Sequence, residues 1–244
     1  MQLKIYKDHH SSSDAAASEI IELVKNKPNA VLCMASGETP RLACKLLVEK
    51  AVTGKVDLSH ITFIGLDEWV GIPPANDGSC YHFFHTEIFK PLNFSANQVH
   101  LFDALSTNLE EECLKIDSTI FEKGTIDLMI VGIGMNGHIG FNEPGVSFNN
   151  YSHVIDLDEI TISGGQKYFK TPAILQKGIT IGLKHLHESK KVLLMANGTK
   201  KAGVIKKTIE GEITNQFPAS IMQTHANGFV IIDEEAATLL DHKK

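Results

Sequence analysis

Short and mostly continuous apolar runs occur at residues 3–6, 30–35, 61–66, 126–132, 191–196 and 228–232. Runs of this length with little alternation predict strands buried on both faces. Between them, the stretches near 14–26, 40–53, 79–90, 108–123 and 199–210 carry apolar residues at helical spacing. Strand–helix alternation of this kind predicts an α/β fold, a doubly wound and mostly parallel sheet of Rossmann-like type with helices on both faces. No Gly-, Ser- or Pro-rich linker divides the chain, so residues 1–244 read as a single domain. The segment at about 142–178 shows neither period and is expected to lie over the sheet edge as a lid, with Gly164-Gly165 as its candidate hinge.

In such a sheet, ligands bind outside the carboxyl ends of the strands, so the residues just after each apolar run carry the candidate chemistry. After 30–35 comes Ser36-Gly37-Glu38-Thr39-Pro40. Gly37 suits a sharp turn, Thr39 an N-cap and Pro40 the first helical position. Together with the Ser36 and Thr39 hydroxyls, the helix N-terminus would form an anion cradle. An ordinary capped loop would read the same way. After 61–66 come Asp67 and Glu68. Neighbouring extended residues point to opposite faces, so one carboxylate can enter a site while the other serves structure. Flanked by Leu66 and Trp69, such a carboxylate is partly desolvated, which favours its neutral form and moves it toward the range of a working base. After 126–132 a glycine-rich stretch brings Asn136, His138 and Glu143 to the same edge. Imidazole exchanges protons near neutral pH, and a nearby carboxylate can orient it. Trp69 and Phe83-Phe84 read as packing groups.

Composition narrows the field. With 43% hydrophobic residues among 244, the chain can bury a large core. It contains no run of about 18 apolar residues, and its first ten residues lack the basic-then-apolar order of a signal peptide, so neither a membrane span nor export is expected. The four cysteines (Cys33, Cys44, Cys80 and Cys113) are widely spaced, which fits a reducing cytoplasm and argues against a disulfide framework or zinc site. The histidine pairs His82/His85 and His185/His187 lack convergent carboxylates or thiols, so no metal is expected. A formal net charge of -6 with scattered lysines opposes nucleic-acid binding, while leaving room for a small anion held locally.

Three motifs, SGETP at 36–40, LDEWVG at 66–71 and NGHIGFNEPG at 136–145, together with GTKKA at 198–202, resemble the glucosamine-6-phosphate and galactosamine-6-phosphate deaminase (isomerase) family in order and spacing over nearly the whole chain. KPNAVLCMASGETP at 27–40 and GSC at 78–80 lie slightly closer to the galactosamine branch. The resemblance implies an enzyme without cofactor that converts a hexosamine 6-phosphate to the ketohexose 6-phosphate and ammonium. It implies that Ser36, Gly37, Glu38 and Thr39 line the phosphate loop with Lys201 as its cation, and that Lys167 stands where many members have a phosphate-binding arginine. It further implies Asp67 as the base for the C2 proton, His138 as the ring-opening group and Glu143 as its support. Asn136 replaces the aspartate of many members. Its carbonyl is expected to accept a hydrogen bond from the His138 imidazole. The segment SHVIDLD at 152–158 replaces the basic residues of the allosteric branch, so a monomer or small homo-oligomer is expected. Two alternatives remain open: a 6-phosphogluconolactonase, and a sugar-phosphate-sensing effector domain.

Overall fold

Apart from the first, which carries Lys4 and is only partly buried, the apolar runs form strands because they have no polar face to turn to water, so each must lie between two layers of helix. In the computed structural model, which describes residues 1–241, they become β1 (Gln2–Tyr6), β2 (Val31–Met34), β3 (Thr62–Gly65), β6 (Leu128–Val131), β9 (Val192–Ala196) and β10 (Gly228–Asp233). A two-residue edge strand that no apolar run announced, β5 (Val99–His100), completes a seven-stranded sheet in the order β1-β10-β9-β6-β2-β3-β5. Every pairing in it is parallel.

Helices α1 (His9–Asn26) and α2 (Glu38–Thr53) cover one face, burying Ile20, Leu47 and Phe63 in one core. Helices α4 (Leu109–Glu122), α6 (Leu183–Glu188) and α7 (Ala202–Glu210) cover the other, around Ile116, Leu186 and Ile205. Chain order reverses between β2 and β6: from β2 the chain steps outward to β3 and β5, and from β6 outward through β9 to β10. Adjacent loops diverge at such a switch point and leave a crevice at the carboxyl ends of the strands.

A second, three-stranded sheet was not legible in the sequence. Its order is β4-β8-β7, with β4 at Asp67–Trp69, β7 at His153–Asp156 and β8 at Lys177–Thr180, all antiparallel. Two short helices, α3 (Cys80–Phe84) and α5 (Glu159–Gly165), stand beside it. The 142–178 segment is therefore less irregular than expected: it holds β7, α5 and the start of β8. Of the Gly164-Gly165 pair, Gly165 closes α5 and is tightly packed, since a Cβ there would stand 2.5 Å from Trp69 Cη2, whereas Gly164 has open space beside it.

Candidate active site

A cavity of about 370 Å³ opens at the β2–β6 switch point. Its floor comes from the loops after β2, β3 and β6, and its roof from α5 and the residues that follow. Every residue expected to act on substrate lines it, except Asn136 and Glu143, which lie immediately behind His138.

At the β2 end, Gly37 sits at φ 108°, a left-handed conformation that favours glycine, and turns the chain straight into α2. The N-cap is thus Gly37 itself. Thr39 is already inside the helix and does not cap it, and Pro40 is the third helical residue, not the first. Glycine caps by exposing free N–H groups, which suits anion binding as well as the expected hydroxyl cap. The Glu38 carboxylate turns away to Arg41, so Glu38 offers the cavity its backbone N–H alone. That N–H bonds the Tyr168 hydroxyl, whose ionisation burial pushes up to about 12. Two cations face this loop. Lys201 donates to the Ile133 carbonyl at 2.6 Å, and burial, reinforced by Lys167, pulls its pKa down to about 8. Lys167 is more exposed and stacks over Tyr168.

Asp67 and Glu68 divide their roles as neighbouring extended residues must. Glu68, buried, accepts from the N–H groups of Trp69, Cys80 and Tyr81, and so ties β4 to the first turn of α3. Asp67 faces the cavity. Burial and the adjacent Glu68 charge raise its carboxyl to about 7, against a partial pull downward from the Cys80 thiol. Cys80 Sγ donates to Asp67 Oδ1 at 3.5 Å and accepts from Ser36 Oγ at 3.0 Å. Burial, with Glu68 and Asp67 beside it, pushes the Cys80 thiol well above its usual range, so it stays a protonated donor.

On the β6 side, His138 Nδ1 lies 2.9 Å from Thr161 Oγ1 and 3.4 Å from Glu143 Oε2. Burial pushes the Glu143 carboxyl up, but hydrogen bonds from His138, Thr161 and Asn136 and the His138 charge outweigh it and hold the group below its usual value. Asn136 does not meet the imidazole as expected. Its Nδ2 donates to Glu143 Oε2 at 2.8 Å, and its Oδ1 accepts from the backbone N–H of His138 at 3.2 Å. The left-handed turn at Gly137 (φ 86°) folds the carbonyl back onto the chain two residues on, an Asx-turn. Cys80, Thr161 and Tyr168 reach the site from elements far along the chain, and no local pattern pointed to them.

Among the described residues, no group of three His, Cys, Asp or Glu side chains converges to hold a metal. His185 is instead buried against Asp117 at 2.7 Å. No described helix is long and apolar enough to cross a membrane.

Residues 9–231 match the model of the family described as glucosamine-6-phosphate isomerases/6-phosphogluconolactonase. The chain belongs to this family. Within it, the glucosamine-6-phosphate deaminases of Thermoanaerobacter pseudethanolicus and Clostridium perfringens strain 13 are each 39% identical over 241 residues, 98% of this chain and 95% and 100% of theirs. A solved monomeric glucosamine-6-phosphate deaminase superimposes with a TM-score of 0.94 at 32% identity, covering 98% of this chain and all of its own. The 6-phosphogluconolactonase of Thermotoga maritima shares the family's fold at a TM-score of 0.75 and 20% identity, over 96% of this chain and 99% of its own.

Proposed function

We propose that the protein is a glucosamine-6-phosphate deaminase, converting the amino sugar phosphate and water to fructose 6-phosphate and ammonium. The observation that carries this reading is a carboxylate base of raised pKa, Asp67, in the same cavity as a carboxylate-supported imidazole, His138. Hydrolysis of a lactone requires no base at C2, so Asp67 favours the deaminase over the lactonase branch.

The 6-phosphate sits on the N–H groups of Gly37 and Thr39 and, by displacing the Tyr168 hydroxyl, on that of Glu38. It draws the Ser36 O–H away from Cys80 Sγ and is neutralised by Lys201 and by Lys167 from the segment over the mouth, which acts as a lid. His138 takes the proton from O1–H and delivers it to O5, so the C1–O5 bond breaks as the C1 carbonyl forms. Asp67 then removes the C2 proton as O1 takes a proton from the C2 ammonium group, giving an enol-amine, and returns its own proton to C1, leaving a C1 hydroxyl and an iminium at C2. Water adds there and ammonium leaves. A carboxyl near pH 7 can both take and give this proton at neutral pH. Each of these steps moves protons and water alone, and the side chains named supply them. The monomeric relative supports a monomer.

The test measures ammonium release from glucosamine 6-phosphate and, in parallel, from galactosamine 6-phosphate, the sugar branch that the sequence slightly favoured. The names of the relatives support glucosamine as the better substrate. Asp67→Asn is expected to lower kcat by about a hundredfold or more while sugar-phosphate binding persists. Undiminished ammonium release by that variant would refute the assignment.

A further inference from the structure

Building on the deaminase reading, we propose that Thr161 is a positioning residue for ring opening, and that it makes His138 competent only when α5 and the turn Gln166–Tyr168 are seated over the cavity. Thr161 lies on α5, is 5% exposed, and puts Oγ1 2.9 Å from His138 Nδ1. It also hydrogen-bonds Glu143, whose Oε2 is 3.4 Å from the same nitrogen. A hydroxyl has one proton to give and lone pairs to accept with. Between a ring nitrogen and a carboxylate, the arrangement that satisfies all three sends O–H to Glu143 and Nδ1–H to Oγ1. The imidazole is then fixed with its proton on Nδ1 and an open lone pair on Nε2.

Nε2 lies over Gly134, where a Cβ would stand only 2.3 Å from it. The missing side chain there gives that nitrogen its place beside the cavity, which both Gly134 and His138 line. An acceptor at Nε2 is what ring opening requires: it takes the proton from O1 and, as imidazolium, returns it to O5. The second part of the proposal follows from chain connectivity. Thr161 and Lys167 belong to one continuous run, α5 and the turn Gln166–Tyr168. Seating the segment on a bound phosphate through Lys167 therefore also delivers the hydroxyl to His138. Phosphate recognition and tautomer selection become one event, so an amino sugar lacking the phosphate is not opened efficiently even when present at high concentration.

The experiment compares wild type, Thr161→Val and Thr161→Ser with glucosamine 6-phosphate carrying hydrogen or deuterium at C2. Valine keeps the shape and removes the hydroxyl, whereas serine keeps the hydroxyl. Thr161→Val is expected to lower kcat by about tenfold or more with KM within about twofold, because orientation of a general acid–base group is lost and phosphate binding is not. Ring opening then limits turnover, so the C2-deuterium isotope effect falls toward one, and Thr161→Ser restores both rate and isotope effect. Wild-type turnover by Thr161→Val would overturn the proposal. So would slow turnover with an intact or enlarged isotope effect, which would place the damage at the Asp67 step, and so would failure of serine to rescue. A wild-type protein that releases no ammonium would refute the deaminase reading itself, and the other outcomes, seen in an active enzyme, leave that reading standing.

Discussion

Opposing influences set the proton affinity of Asp67. Burial and the neighbouring Glu68 charge lift its carboxyl to about 7, and the Cys80 thiol at 3.5 Å holds it back from rising further. Removing that donor by Cys80→Ala should move the acid limb of the kcat/KM pH profile upward by about half a unit to one unit, since a thiol is a weak donor and a long bond from it is worth only about 1 kcal/mol. Cys80→Ser should bring the limb back toward wild type. An unmoved limb in both variants would show that the thiol does not bond the base. The lifting influence was legible in the sequence, because Asp67 directly follows an apolar run that places it at a strand's carboxyl end and partly desolvates it. The restraining influence was not, because Cys80 arrives from thirteen residues further on across a turn. Asn136 marks a different case: its identity was plain, yet its partner was misassigned. The Asn-Gly-His order was itself a signal for an Asx-turn, and that local competition for the side-chain carbonyl explains why Oδ1 meets the backbone instead of the ring.

Elements were legible where burial alone defines them. Six of the seven strands of the large sheet coincide with apolar runs and could be placed within a residue or two of their observed ends, whereas β5 is too short to announce itself. The small sheet was not, because β4, β7 and β8 are brief, carry Asp, Glu, His or Lys, and owe their conformation to pairing with one another instead of to a buried face. The same holds for the covering segment, whose seat is set by close contacts that no periodicity reveals. One of these is testable: a Cβ at Gly78 would stand 2.3 Å from Phe169 Cδ1, two residues after Lys167. Gly78→Ala must push the ring away, at a cost of about 1–3 kcal/mol. KM for the sugar phosphate should rise by up to about tenfold and Tm should fall by roughly 2–10 °C, measured by steady-state kinetics and thermal unfolding. An unchanged KM would mean the segment contributes nothing to phosphate binding.

For the whole molecule, the raised carboxyl of Asp67 is a statement about stability. Its folded value of about 7 exceeds the ordinary 3.8, so the folded state holds this proton more tightly than the unfolded chain does. The associated stabilisation is complete below about pH 3.8 and drains away as pH rises to about 7, amounting to at most a few kcal/mol. Glu68, also raised by burial, acts in the same direction. Asp67→Asn mimics the protonated acid, so its Tm should exceed that of wild type by a margin that grows from pH 4 to pH 7 and then levels off. A constant margin would show that Asp67 ionises in the folded state as it does in water. A carboxylate held ionised in this cavity is thus held at the expense of the fold, as is common at functional sites.

The pairing of β4 with β8 sets Asp67 opposite Thr180 and Glu68 opposite Ile179. Because successive strand residues face opposite ways, slippage of this pairing by one place would exchange the two carboxylates: Glu68 would turn into the cavity and Asp67 toward α3. The two acids are near-equivalent in chemistry and differ in what surrounds them. Which one faces the cavity is therefore written in the alignment of two short strands. An insertion or deletion in the connections flanking β4 could thus exchange the two acids, which no substitution elsewhere in the strand would do.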